Sequence, residues 1–236
     1  MVKQINHKFL HFGPVLCATS VDLNLCKELL ERGDKTTDSN VPYLAGHLNH
    51  ENNFSVHDIL WFVTNFKYYF IPYFKKIQTT TDEEYYYGAK PFNRILLQKL
   101  WINYMKKNEF NPPHTHGGAF SFVLYLKVPE AINKEIKNFK GTGNGPGSVT
   151  FFYGEDQKGI VTAHGVKPTE GDLWIFPASL KHMVPPFRSD ETRISVSGNI
   201  YVTDELNKGL PIQPGEFTIM DRIELADMKK GINLNK

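Results

Sequence analysis

Cysteine is nearly absent: Cys17 and Cys26 are the only two in 236 residues. A pair cannot make a disulfide framework, and both sit in apolar surroundings, so they are expected to be small buried hydrophobes in a reducing compartment. No run of about 18 apolar residues occurs, which predicts no membrane-spanning helix. The start, Met1 to Asn6, lacks the apolar centre of a signal peptide. Charge of one sign is also missing. Lys and Arg number 27 against 25 Asp and Glu, for a formal net charge of +2, and they are spread along the chain. No basic block advertises a nucleic-acid partner. Nothing repeats at a fixed period, which argues against a solenoid or propeller. A cytoplasmic protein with no membrane or nucleic-acid partner is the expectation.

Aromatic residues are plentiful, with 17 Phe and 11 Tyr, and imply a large aromatic core. The length suits one domain, residues 1–236, built as a single β-barrel with a helical extension. Residues 1–90 read as a helical and strand support, 91–205 as the β core and 206–236 as a C-terminal extension that frays at its end. Residues 8–21 read as a strand interrupted at Gly13-Pro14. Residues 22–33 follow as an amphipathic helix with Gly33 as its C-terminal stop. Residues 33–53 are polar and turn-rich and read as a loop, in which His47 and His50 are surface histidines. From the N-cap Ser55, with Asp58 three residues on, a long helix is predicted. Its stripe is Val56, Ile59, Leu60, Val63, Phe66, Phe70, Phe74 and Ile77, set to pack on a sheet, with Pro72 kinking or breaking its end. After the acidic, tyrosine-rich residues 79–88, short extended runs take over at 94–105, 119–128, 148–153, 172–177 and 192–203. Such a succession predicts an antiparallel sandwich or barrel. Residues 129–147 read as a flexible insertion or lid.

The chemistry concentrates in the segment Asn111-Pro-Pro-His-Thr-His-Gly-Gly-Ala-Phe-Ser-Phe-Val-Leu-Tyr-Leu. In an extended backbone residues i and i+2 share a face, so His114 and His116 can offer two imidazoles to one metal. A polar loop with two exposed histidines is the plain alternative. A second segment, Gly171-Asp-Leu-Trp-Ile-Phe-Pro, leads to His182, and then comes Arg193-Ile-Ser-Val-Ser-Gly-Asn199. There Arg193, Ser195, Ser197 and Asn199 alternate with apolar residues. The polar face is either solvated or lines a barrel, where Arg193 would pair with a carboxylate. Tyr125 shares the more polar face of its own strand and could reach the same carboxylate. Trp101 and Asn103 are candidates for the pocket wall, and Trp174 for the core.

Taken in order, these motifs resemble the 2-oxoglutarate and Fe(II)-dependent oxygenases. The likeness covers residues 100–203, with a fainter echo at 42–51, and is nearest to the prolyl-hydroxylase-like branch and to oxygenases of tailed phages. The resemblance implies a mainly β (α+β) fold, a double-stranded β-helix or jelly-roll barrel with N-terminal helices packed on one sheet. It implies Fe(II) on His114, His116 and His182, with His116 where most of the superfamily has a carboxylate. Should only two imidazoles bind, a carboxylate such as Asp172, or a water, completes the shell. It further implies 2-oxoglutarate held by Arg193 and Ser195 with Tyr125, O2 as co-reactant and ascorbate as a support. The reaction implied is hydroxylation of a C–H bond of a small-molecule or peptide substrate, coupled to decarboxylation of 2-oxoglutarate to succinate. In a phage the location would be the host cytoplasm. Two other readings stay open: a three-histidine dioxygenase of the cupin kind, which has no necessary use for Arg193, and a non-catalytic β-rich structural or binding protein. Cosubstrate titration separates the first from the leading reading, and metal analysis the second.

Overall fold

The computed structural model describes residues 5–11, 13–79, 92–154, 163–203 and 214–219. The chain runs β1 (His7–His11), β2 (Val15–Ser20), α1 (Leu23–Gly33), β3 (Asp38–Ser39), β4 (Glu51–Asn53), α2 (Val56–Thr79) and β5 (Arg94–Met105). It continues with β6 (Asn111–His114), β7 (Phe120–Lys127), α3 (Glu130–Asn138), β8 (Val149–Phe152), β9 (Ala163–Val166), β10 (Asp172–Pro177), β11 (Lys181–Val184), β12 (Arg193–Thr203) and β13 (Glu216–Thr218). Two sheets result. The larger has the order β1-β2-β10-β7-β12-β5-β4-β3, with β13 also paired to β5, and the smaller has the order β6-β11-β8-β9. The expected extended runs are all strands. Among the described residues, no helix is long and apolar enough to cross a membrane.

Strand β7, inside the larger sheet, is covered on both faces. In β7 the bulky residues Phe120, Phe122 and Leu124 turn to one core, while the alternate residues turn towards the smaller sheet. On the first side lies α2. Its Phe62 and Phe70 rings stand 5.5 and 5.0 Å from Phe122, and Phe74 stands 5.3 Å from Phe120. Each fully buried Phe contributes on the order of 1.5–3 kcal/mol, and well-placed ring pairs somewhat more. The predicted cap forms: Asp58 N–H donates to Ser55 Oγ at 3.2 Å and Ser55 N–H to Asp58 Oδ2 at 3.3 Å.

The structure corrects five local expectations. Helix α2 does not break at Pro72 but continues to Thr79. Proline removes one helical hydrogen bond, while Tyr73, Phe74 and Ile77 beyond it are buried in the aromatic core. The buried stripe is also rotated: Val56 and Leu60 are exposed, whereas Phe62, Tyr69 and Tyr73 are buried. Gly33 is no left-handed stop, because it lies within α1 and Asp34 caps the helix. Its use is close packing, since a Cβ there would lie 2.3 Å from Ile102 Cδ1. The supposed lid contains α3, whose Ile132 and Ile136 are buried with Met105, Phe151, Phe176 and Phe187 in the core between the two sheets. The region read as a loop likewise holds β3 and β4. Cys17 and Cys26 are buried free thiols, and burial pushes both up to about 12. Trp174 is half-buried at the edge of the second core. Residues 80–91 and 220–236, which include the tyrosine-rich stretch and the C-terminal tail, lie outside the described residues.

Candidate metal centre

Strand β6 is laid antiparallel to β11 with His114 opposite His182. Two residues beyond His114, His116 leaves the strand and is held by its own N–H, which donates to the Ala178 carbonyl at 2.9 Å. The turn that follows needs glycine: Gly118 has φ 90°, and a Cβ there would come within 2.6 Å of the Ile200 carbonyl oxygen. This geometry brings one ligand atom from each of the three histidines within 4.8 Å of the others.

The ring nitrogens are sorted by their hydrogen bonds. His114 Nδ1–H donates to the Pro112 carbonyl at 2.7 Å and His182 Nδ1–H to the Leu180 carbonyl at 2.9 Å. That tautomer leaves each Nε2 with a free lone pair, the arrangement a backbone carbonyl imposes on metal-binding histidines. His116 Nε2 lies 3.1 Å from His182 Nε2, close to the separation of two neighbouring ligands on a metal with bonds of about 2.1 Å. Burial keeps all three rings neutral. Desolvation first, then the neighbouring imidazoles, takes His116 down to about 3, and the same causes take His182 down to about 4. His114 is lowered as well, chiefly by burial. Three neutral imidazoles, His182 buried and His114 and His116 half-buried, converge in a way that fits a divalent metal. Asp172 is not part of this group; its carboxylate accepts from Thr169 N–H at 3.0 Å.

The cavity beside the histidines has a volume of about 260 Å³. The three histidines, the cosubstrate anchors Arg193, Ser195 and Tyr125, and the wall candidates Trp101 and Asn103 all line it, whereas Asp172 does not. Register explains the convergence. Ser195 of β12 lies between Asn103 of β5 and Tyr125 of β7, forming one row across the sheet, and Ser197 lies between Trp101 and Val123 in the next. Arg193 is 2 % exposed. Its Nη1 donates to the Gly147 carbonyl, its Nε has no partner, and its guanidinium carbon lies 5.5 Å from the Tyr125 ring. Desolvation lowers its pKa, with Tyr125 acting in the opposite sense. No carboxylate pairs with this buried cation among the described residues. Guanidinium stays protonated in proteins, so the cavity wall carries a positive charge ready for an anion. The sequence reading passed over Glu51, Asn40 and Lys99, which also line the cavity. Glu51 and Asn40 sit in or beside strands of two or three residues, too short for alternation to register.

Residues 99–199 match the family model described as "Putative 2OG-Fe(II) oxygenase". This supports the superfamily of 2-oxoglutarate and Fe(II)-dependent oxygenases. Among solved structures, a prolyl hydroxylase from Trichoplax adhaerens, in complex with a hypoxia-inducible-factor oxygen degradation domain peptide fragment, is 11 % identical with a TM-score of 0.50. That alignment covers 86 % of this chain and 89 % of the other. A Pseudomonas putida prolyl-4-hydroxylase is 12 % identical with a TM-score of 0.44 over 83 % and 94 %. SnoN, a non-haem α-ketoglutarate-dependent epimerase of nogalamycin biosynthesis, is 14 % identical with a TM-score of 0.43 over 84 % and 87 %. The Trichoplax likeness extends to the fold: mostly β, in the jelly-roll manner of 2-oxoglutarate oxygenases. No curated protein matches the chain.

Proposed function

We propose that this protein is an Fe(II)- and 2-oxoglutarate-dependent dioxygenase that hydroxylates a C–H bond, built on a double-stranded β-helix. The observation that carries this reading is the sharing of one cavity by three neutral, converging imidazoles and a buried guanidinium that lacks a carboxylate partner. His114, His116 and His182 would hold the iron through nitrogens left free by the Pro112 and Leu180 hydrogen bonds. Neutral ligands leave the metal its full dipositive charge, which dianionic 2-oxoglutarate balances. Arg193, with Ser195 and Tyr125 beside it, would take the distal carboxylate and orient the cosubstrate. A bound metal with O2 and 2-oxoglutarate supplies the oxidation, releasing succinate and carbon dioxide. The protein's share is orientation and the exclusion of water, for which the Phe176 and Trp101 walls are suited. A peptidyl or free amino acid is the substrate class we favour, and ascorbate would keep the iron reduced. The sequence motifs point within the superfamily to the prolyl-hydroxylase-like branch and its phage relatives.

Purified protein given Fe(II), ascorbate and 2-oxoglutarate should release succinate slowly even without substrate. Arg193→Ala should weaken 2-oxoglutarate binding by at least a hundredfold, or about 2.7 kcal/mol, while metal binding survives. Calorimetric titration reads both. Unchanged cosubstrate affinity in this variant would remove the anchor and favour a three-histidine dioxygenase that works without 2-oxoglutarate.

A further inference from the structure

Beyond the proposed cosubstrate, the cavity contains polar groups that a dicarboxylate does not use. Strand β4 lies against β5 with Glu51 opposite Asn103, so the row Tyr125, Ser195, Asn103 is extended by a carboxylate. Glu51 is 2 % exposed and Asn103 is 6 % exposed, yet both line the cavity. Asn103 Nδ2 donates to Glu51 Oε2 at 3.1 Å and Asn40 Nδ2 donates to Oε1 at 2.7 Å. The first bond fixes the Asn103 amide, which leaves its Oδ1 buried and without a partner. Each Glu51 oxygen, having accepted one bond, still has lone pairs to offer.

We infer that Glu51 and the free Oδ1 of Asn103 form a seat for a cationic nitrogen, an ammonium or guanidinium group, on the substrate. This rests on the dioxygenase reading, because it assigns Arg193, Ser195 and Tyr125 to the cosubstrate and leaves Glu51 and Asn103 to the molecule that is oxidised. Two adjacent buried acceptors without a counter-charge make an expensive arrangement in an empty protein. A ligand carrying both N–H donors and positive charge relieves both costs at once. The protein's own cations do not. Lys99 lies four residues along β5 from Asn103, on the order of 13 Å away at about 3.3 Å per residue, and Arg193 is turned to Gly147 and Tyr125. No ion pair reaches Glu51 among the described residues. In agreement, burial pushes the Glu51 carboxyl up to about 7 despite the two amide donors, so a bound cation would draw it into the ionised form. The Arg193 guanidinium lies near Tyr125, at one end of the row, and Glu51 stands at the other end, which lets a cationic substrate and an anionic cosubstrate occupy the cavity together without sharing ligands.

The test is calorimetric titration of the full chain, loaded with Mn(II) and 2-oxoglutarate without oxygen at pH 7, using two matched probe pairs. L-Lysine is compared with L-norleucine, and L-arginine with L-citrulline. At least one cation should bind ten times or more tightly than its neutral partner. In Glu51→Gln that preference should fall below twofold while 2-oxoglutarate still binds, and Asn103→Leu should reduce it severalfold. Equal binding of cation and neutral partner, binding of neither, or a preference that survives in both variants overturns the inference. If 2-oxoglutarate itself fails to bind the wild-type chain, the dioxygenase reading has failed instead. A purely structural Glu51, tying β4 to β5, would change stability in Glu51→Gln without altering charge selectivity.

Discussion

At the scale of single residues, the cavity is governed by desolvation. The same low-dielectric surroundings keep three imidazoles neutral, lift a carboxylate and leave a guanidinium searching for an anion. For Glu51 the consequence for stability has a definite sign. Its folded pKa, about 7, lies above the ordinary 4.5, so the folded state holds the proton more tightly. Stability is therefore greatest below pH about 4.5 as far as this group is concerned, and is lost as pH rises through 7. Glu51→Gln should abolish this slope and be more stable than the wild type at pH 8, by up to roughly 3 kcal/mol at about 1.36 kcal/mol per pKa unit. Urea denaturation at pH 5 and pH 8 measures it. A variant no more stable at pH 8 than the wild type would mean that Glu51 is better solvated than its burial suggests. His114, His116 and Arg193 were legible as candidates because motif and alternation are local. Glu51 was not, because nothing in Glu51-Asn52-Asn53 distinguishes a buried carboxylate from one in a polar loop.

At the scale of elements, α2 shows how tertiary packing overrides local propensity. Its start was readable from the Ser55 and Asp58 pair, which form reciprocal bonds. Ser55→Ala should cost about 1 kcal/mol, seen as a lower denaturation midpoint with an unchanged slope. No loss at all would mean that aromatic packing alone sets where the helix begins. Its end was not readable. Pro72 signals a break, yet the buried rings on either side hold the helix to Thr79. The rotation of its stripe has the same origin. A chain with Phe or Tyr at positions 62, 66, 69, 70, 73 and 74 offers more than one aromatic face, and only the partner sheet selects between them. Helix α3 was hidden by the glycine-rich stretch that follows it, although its two buried isoleucines are spaced one turn apart.

At the scale of the whole molecule, a metal held by His114 and His182 would tie together the paired strands β6 and β11 of the smaller sheet and, through His116, the turn that follows β6. A ligand that binds only this folded arrangement must stabilise it. A redox-inert divalent ion at 100 times its dissociation constant should contribute about 2.7 kcal/mol. For a chain of this size that corresponds to a Tm rise on the order of 5–10 °C. His182→Ala should lose most of the rise and Ser197→Ala should keep it. The absence of any rise in the wild type with Zn(II), Mn(II) or Co(II), in protein made without a histidine tag, would remove the metal centre.

Taken alone, the sequence determined the β-rich class, the order of the extended runs, and the histidines and arginine worth watching. These follow from periods of two and 3.6 residues and from short spacings, which act over a few neighbours. The tertiary structure decided which residues meet. His182 lies 68 positions from His114, and only the β6–β11 register sets their rings 4.3 Å apart. Glu51 reaches the same cavity only because a three-residue strand pairs with Asn103. Pairing between distant segments depends on how all the strands pack at once, and no local pattern encodes it.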